Sequence, residues 1–355
     1  MSKRYEFVLK SITDKIADGT YCAGSQLPTE NQMTQMYNVS RITIQKAMNI
    51  LASQNVIERV AGRGTFVKDN SEPIENDADR SLYAFVSPNV SAEMSDIIKG
   101  AQDLMLERGH YLTLGVFDNN VQKERNIVEK FISDGVKGLI VALWDSNTNK
   151  EFYQNLIEKN FPIVFIDKSV NGTIGNVVLS NNVEGINSGV SYLIKMGHKK
   201  IGYISFPISI SDSLNDRITA YVTTMKKNNL EINPSMFCIT GHEDAFDKID
   251  TMFKKNPDMT AVMCASDSLA LHIYSYANKM GINIPNDLSV CSFDGYDYTD
   301  LMLPPLTTVK QDFQGIARRA AELLLESCNE RTGLQRKIYV PTTLIIRESV
   351  KNLKG

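Results

Sequence analysis

Polar side chains recur in one kind of place in this 355-residue chain: just past the end of a short apolar, β-prone run. Asp294 follows the run 288–293, and Ser266 with Asp267 follows 260–264. Asp167 and Lys168 follow 163–166, while Trp144 and Asp145 follow 138–143. Carboxylates that accept two hydrogen bonds, a cationic donor, and an aromatic plate for C–H groups are what a polyhydroxylated ligand requires. Bland roles compete at each position. Asp267 could cap a helix beginning at Ser268, and Trp144, the single tryptophan, could sit in a core.

A second cluster suits nucleic acid. In the stretch 40–46 (S-R-I-T-I-Q-K), Arg41, Thr43 and Gln45 fall opposite the stripe Ile44, Ala47, Met48 and Leu51. They are free to enter a major groove, and Ser40 can cap the helix. Gly62-Arg63-Gly64 presents a guanidinium between two small residues, a shape suited to a narrow minor groove. Residues 1–68 hold nine Lys or Arg against five Asp or Glu, so a basic head stands on a chain whose net charge is −3. Phosphate contacts need that excess.

The elements that position these groups follow from periodicity. Val8, Ile12 and Ile16 make one helical face, which Gly19 ends; Thr29 caps a second helix with Met33 and Met36 inward; a third helix follows. Two short β-runs flank 61–64, completing a winged helix-turn-helix over residues 1–68. Residues 69–80, with five acids and one large apolar residue, read as a linker. From 81 to 350, β-runs alternate with helical stretches of ten to fifteen residues, which predicts an α/β body of two Rossmann-like lobes. Ligands bind at the carboxyl ends of such strands. Crossovers between lobes are expected near Asn176, near Val309 and after Gly333.

Other functions find less support. No G-x-G-x-x-G follows the first strand, no phosphate-binding P-loop motif occurs, and no Ser-His-Asp or Cys-His set can be placed. An enzyme acting on sugar phosphates is therefore the rival reading, and a transport binding protein is a third. The five cysteines and four histidines lack metal-ligand spacing, so no metal, cofactor or catalytic residue is expected. No apolar run reaches membrane-spanning length, and the N-terminus has no apolar leader, so a cytoplasmic protein without membrane contact is expected.

The head resembles the GntR family through Leu27-Pro28-Thr29-Glu30, the stretch 37–43 and the stretch 62–67. The resemblance implies that Arg41, Thr43 and Arg63 touch DNA while Thr29 and Glu30 set the second helix against the backbone. Lys3, Tyr5, Ser40, Gln45, Gly62 and Gly64 complete the expected DNA face. Many members carry Arg where this chain has Gln45; Gln pairs with adenine, so an adenine is expected there in the operator.

The body is similar to LacI/GalR ligand-binding domains, which share the two-lobed periplasmic-binding-protein type I fold. The match runs from Leu82 to Glu348, clearest at 197–204, 216–221, 265–270, 284–294 and 306–311. It implies that Arg217 grips a sugar and that Gln311 lines the pocket; Arg217 and Asp294 could alternatively form a buried structural ion pair. Ser266 stands where the family usually has Asn. A GntR-type head on a LacI-type body resembles the arabinose-repressor group. That implies a homodimeric repressor of carbohydrate-utilisation genes, bound to two-fold double-stranded operator DNA and released by a sugar, L-arabinose, with xylose or another pentose or hexose left open.

Overall fold

Three helices and a hairpin make the head: α1 (Lys3–Ala17), α2 (Glu30–Tyr37), α3 (Arg41–Ser53), β1 (Ile57–Val60) and β2 (Gly64–Val67). The computed structural model describes residues 3–53, 56–60, 63–68, 81–172, 174–208, 211–329 and 335–354. The chain divides into two units, Met1–Asp79 and Arg80–Gly355. The expected linker 69–80 lies outside the described residues.

Thr29 caps α2 reciprocally: its Oγ accepts from the Gln32 N–H at 3.3 Å, and Gln32 Oε1 accepts from the Thr29 N–H at 2.8 Å. The strands pair antiparallel, Ile57 facing Val67. Ile44, Ala47, Met48 and Leu51 are buried against Val8, Ile12, Leu27 and Met33, as helical spacing predicts. Met36 departs from expectation. It is 52% exposed, because α2 has only two turns and Met33 with half-buried Tyr37 already fills its inner face.

The body holds two six-stranded sheets. In the first lobe β3 (Leu82–Ser87), β4 (Tyr111–Val116), β5 (Leu139–Ala142), β6 (Ile163–Ile166), β7 (Asn176–Ser180) and β13 (Lys337–Val340) run parallel in the order β13-β7-β6-β5-β3-β4. Helices α4 (Ala92–Glu107), α5 (Val121–Ser133), α6 (Lys150–Glu158) and α11 (Phe313–Asn329) belong with this sheet. The second lobe comprises β8 (Ile201–Ser205), β9 (Phe237–Ile239), β10 (Ala261–Cys264), β11 (Ser289–Asp294), β12 (Thr307–Lys310) and β14 (Thr343–Ile345). Its order is β14-β12-β11-β10-β8-β9, and only β14 is antiparallel. With it pack α7 (Asn182–Lys195), α8 (Asp212–Lys227), α9 (Ala245–Lys255) and α10 (Asp267–Met280). Every residue of β5, β6, β7, β8, β10 and β11 is buried, the pattern of parallel strands covered on both faces.

The chain passes between lobes three times: from β7 to α7, from β12 to α11, and from β13 to β14. The first two passages lie a few residues beyond the expected Asn176 and Val309. The third lies between Val340 and Thr343, while Gly333 is outside the described residues. After β14 the tail stays on the second lobe, where the Leu353 N–H donates to the Met196 carbonyl at 2.7 Å.

Candidate functional site: the crevice and the head

The carboxyl ends of both sheets border a cavity of about 270 Å³. Trp144, Asp167 and Lys168 reach it from the first lobe, Arg217, Ser266 and Asp294 from the second, and Gln311 from the second passage. At its base Arg217 is buried and held by three hydrogen bonds. Its Nε donates to Asn182 Oδ1 at 2.7 Å, and its Nη1 donates to the Ala265 carbonyl at 2.6 Å and to Asp294 Oδ1 at 3.2 Å. The guanidinium lies 3.9 Å from the Phe293 ring centroid. Gln311 Nε2 donates to the same Asp294 oxygen at 2.7 Å, and Ser180 Oγ donates to Gln311 Oε1 at 2.6 Å.

Asp294 ends β11 with a backbone φ of 125°, a conformation that L residues rarely adopt and that accumulates at functional sites. Burial pushes its carboxyl up to about 7 against the opposing pull of Arg217. The cavity thus offers a carboxylate acceptor, a fixed guanidinium and an amide, the set that hydroxyl recognition needs.

Lys168 Nζ donates to the carbonyls of Leu143 and Trp144 at 3.2 and 3.1 Å, so it holds the turn that presents Trp144, itself 45% exposed. The lobes also touch beside the cavity. Ser213 Oγ donates to the Asp167 carbonyl at 2.5 Å, and Ser169 donates to the Asp212 carboxylate through both its N–H and its hydroxyl.

Two expected residues stay off the cavity wall. Asp145 folds back on its own turn, Oδ1 accepting from the N–H groups of Asn147 and Thr148 at 2.7 and 2.8 Å. Asp267 is fully buried: Oδ2 accepts from the N–H groups of Gly295 and Tyr296 at 2.7 and 2.9 Å, and Oδ1 from the Thr308 hydroxyl at 2.7 Å. Asp267 therefore braces the loop behind Asp294. The helix cap at this site is Ser266, whose Oγ accepts from the Ser268 N–H at 3.3 Å. Glu93, Phe206, Ser211, Tyr296 and Phe313 line the cavity without having been expected. Phe206 follows β8 as Trp144 follows β5, a signal that could have found it; Tyr296 and Phe313 stack at 6.0 Å across a gap of sequence that has no periodicity.

In the head, Glu30 gathers the groups expected to face DNA. Its carboxylate accepts from Arg41 Nε at 3.2 Å and from Gln45 Nε2 at 3.1 Å, and lies 4.0 Å from Arg59 Nη2. Ser40 Oγ accepts from the Thr43 N–H at 3.4 Å and meets the Thr43 hydroxyl at 2.8 Å. Lys46 Nζ sits 4.0 Å from the Tyr5 ring centroid, so Tyr5 steers a cation of α3. Ile42, which drew no expectation, is 78% exposed on the same helix. Arg63 is exposed and its carbonyl accepts from Gln26 Nε2 at 2.7 Å. Gly64 has φ 117°, a backbone conformation that residues with a side chain rarely adopt, so the position favours glycine. Gly62 and the Lys3 side chain lie outside the described residues.

Residues 4–67 match bacterial regulatory proteins, gntR family, and residues 190–350 match the periplasmic binding protein-like domain. The arabinose metabolism transcriptional repressor of Halalkalibacterium halodurans is 27% identical, the alignment covering 100% of this chain and 98% of that protein. The repressor of the same name from Geobacillus stearothermophilus is 24% identical over 99% of this chain and 98% of its own. A LacI family transcriptional regulator from Mycobacterium smegmatis shares the fold with TM-score 0.67 at 24% identity, covering 77% of this chain and 99% of that one.

The chain is a DNA-binding transcription regulator. It joins a GntR-type helix-turn-helix head to a periplasmic-binding-protein-like body. Among the described residues no helix is long and apolar enough to cross a membrane.

Proposed function

We propose that the protein represses sugar-utilisation genes and leaves its operator when a sugar, L-arabinose in our reading, fills the crevice. The observation that carries this is the Asp294–Arg217–Gln311 cluster, held by mutual hydrogen bonds at the base of a cavity that both lobes line. Sugar hydroxyls would donate to Asp294 and accept from Arg217, with the Trp144 ring over the C–H face. Asp167, Lys168 and Ser266 would complete the contacts. Ligand bridging the lobes stabilises one lobe arrangement over others, and that preference is the free energy available to change operator affinity. The full-length similarity to repressors named for arabinose metabolism supports the choice of sugar.

Arg41, Thr43 and Gln45 would read the major groove, with Ser40 at the helix N-terminus near phosphate, Tyr5 steering Lys46, and the Arg63 wing in the minor groove. One such head covers a half-site, so the protein acts in the cytoplasm as a homodimer on a two-fold operator. The test is fluorescence anisotropy of the protein on its own upstream DNA, titrated with L-arabinose, xylose, ribose and glucose. Release by arabinose alone is expected. Release by a different sugar overturns the ligand, and absence of DNA binding overturns the regulator's mode of action.

A further inference from the structure

Two imidazoles stand together outside the cluster described above. His242 follows β9 and His272 lies in the second turn of α10; His242 Nδ1 and His272 Nε2 are 2.9 Å apart, with ring centroids 5.2 Å apart. At this edge the sheet runs β10-β8-β9, so the chain leaving three neighbouring strands converges here. Phe206, after β8, packs its ring against His242 at 5.1 Å and 65° while also lining the crevice.

Both histidines are held on fixed backbone. The turn bearing His242 is locked by Asp244, whose Oδ1 accepts from the Gly241 N–H at 3.0 Å and the Thr240 hydroxyl at 2.6 Å and whose Oδ2 pairs with Lys248 at 2.7 Å. His272 is carried by a helix whose inner face, Leu269, Ala270, Ile273 and Tyr276, is buried. His242 is exposed and His272 half-buried, so solvent and solutes reach the pair.

We propose that His242 and His272 form a two-imidazole site for a divalent transition-metal ion such as Zn²⁺ or Ni²⁺. Neutral imidazole nitrogen is the donor such ions prefer. A hydrogen bond between the two facing nitrogens requires that one carry a proton and the other be bare. On binding, the ion takes the place between them, and that proton moves to the other nitrogen of its own ring, so no redox change and no net proton release are needed. At a metal–nitrogen distance of about 2.0–2.1 Å, a tetrahedral ion asks for nitrogens about 3.3 Å apart. The observed 2.9 Å lies a few tenths of an ångström below that, a movement that two solvent-reached rings can make. Among the described residues no group of three or more His, Cys, Asp or Glu side chains is placed to hold a metal. Water therefore fills the remaining positions, and the site is exchangeable.

Isothermal titration of the full chain with ZnCl₂, and separately NiCl₂, at about pH 7.5 tests this. One ion per chain is expected, with the isotherm lost in His242→Gln and in His272→Gln. Both substitutions are solvent-reached, and an unchanged thermal unfolding curve establishes that the variants are folded. The double variant controls for other ligands, exposed Cys22 included. Wild-type binding no stronger than that of the double variant overturns the site, as does one-ion binding that survives both substitutions.

Discussion

Gln311 is bonded to Asp294 twice, once by its side-chain amide to the carboxylate at 2.7 Å and once by its backbone N–H to the Asp294 carbonyl at 3.0 Å. Gln311 opens the passage from β12 to α11, so the acceptor most suited to ligand is fastened to a segment that links the lobes. Asn182, which accepts from Arg217, begins α7 just after the first passage and repeats the arrangement. The Asp294 carboxylate is thereby bonded directly to one of the three connections and, through Arg217, to a second.

Asp294→Asn keeps shape and removes the charge. Hydrogen bonds to charged groups contribute about 1.5–3 kcal/mol, so effector affinity falls about 10- to 100-fold. Operator affinity without effector stays at its wild-type value. Paired titrations, sugar on protein and protein on DNA, check both halves.

The raised Asp294 carboxyl also sets a pH dependence. Its folded value of about 7 lies above the ordinary 3.8, so the stability it contributes is complete at low pH and is lost as pH rises through about 7. Sugar hydroxyls donate to the ionised form, so effector affinity moves the opposite way and rises through the same range. Sugar affinity measured from about pH 5.5 to about pH 8.5 is expected to climb in the wild type and stay flat in Asp294→Asn.

In the head, Glu30→Ala removes the acceptor on which Arg41 and Gln45 converge. Losing that positioning costs operator affinity about tenfold, in line with one charge-assisted hydrogen bond, while binding to random DNA holds or rises as a negative charge leaves the face. Gln45→Arg is expected to shift preference at one operator position from adenine to guanine. Competition with operators differing at single base pairs measures both effects, and an unchanged base preference removes Gln45 from the readout.

Trp144 is the only tryptophan and is partly exposed on the cavity wall, so it reports on the crevice directly. Adding the effector sugar is expected to change its emission with the same midpoint as operator release. Trp144→Phe abolishes the signal and weakens sugar binding, whereas an unaltered emission at saturating sugar places the ligand elsewhere.

Much of this was legible in the sequence because periodicity and chain order encode it. The stripe on α3 gave its buried face residue by residue, and the boundaries of β6 coincide with its apolar run. The crevice residues were found by a positional rule, that polar groups past strand ends face the ligand side. That rule cannot tell which way a side chain turns: Asp145 and Asp267 obey it in sequence and spend their carboxylates on backbone N–H groups. Tyr296 and Ser211 belong to loops, where spacing carries no signal and tertiary packing decides. Met36 was misplaced for a related reason, since a two-turn helix has room for few inward side chains.

The three passages between lobes have a consequence for how the chain comes off the ribosome. Lys337 pairs with Val177 and Thr343 with Lys310, so each sheet takes its last strand from residues 337–345, after every other strand of the body has been made. Neither lobe can close its core as an independent early unit, and contacts this distant in sequence slow the search for the native state. The head, whose contacts are local, can be finished and compact while the body is still an open sheet edge. Nascent or truncated chains therefore carry a compact DNA-binding unit ahead of any completed sensor.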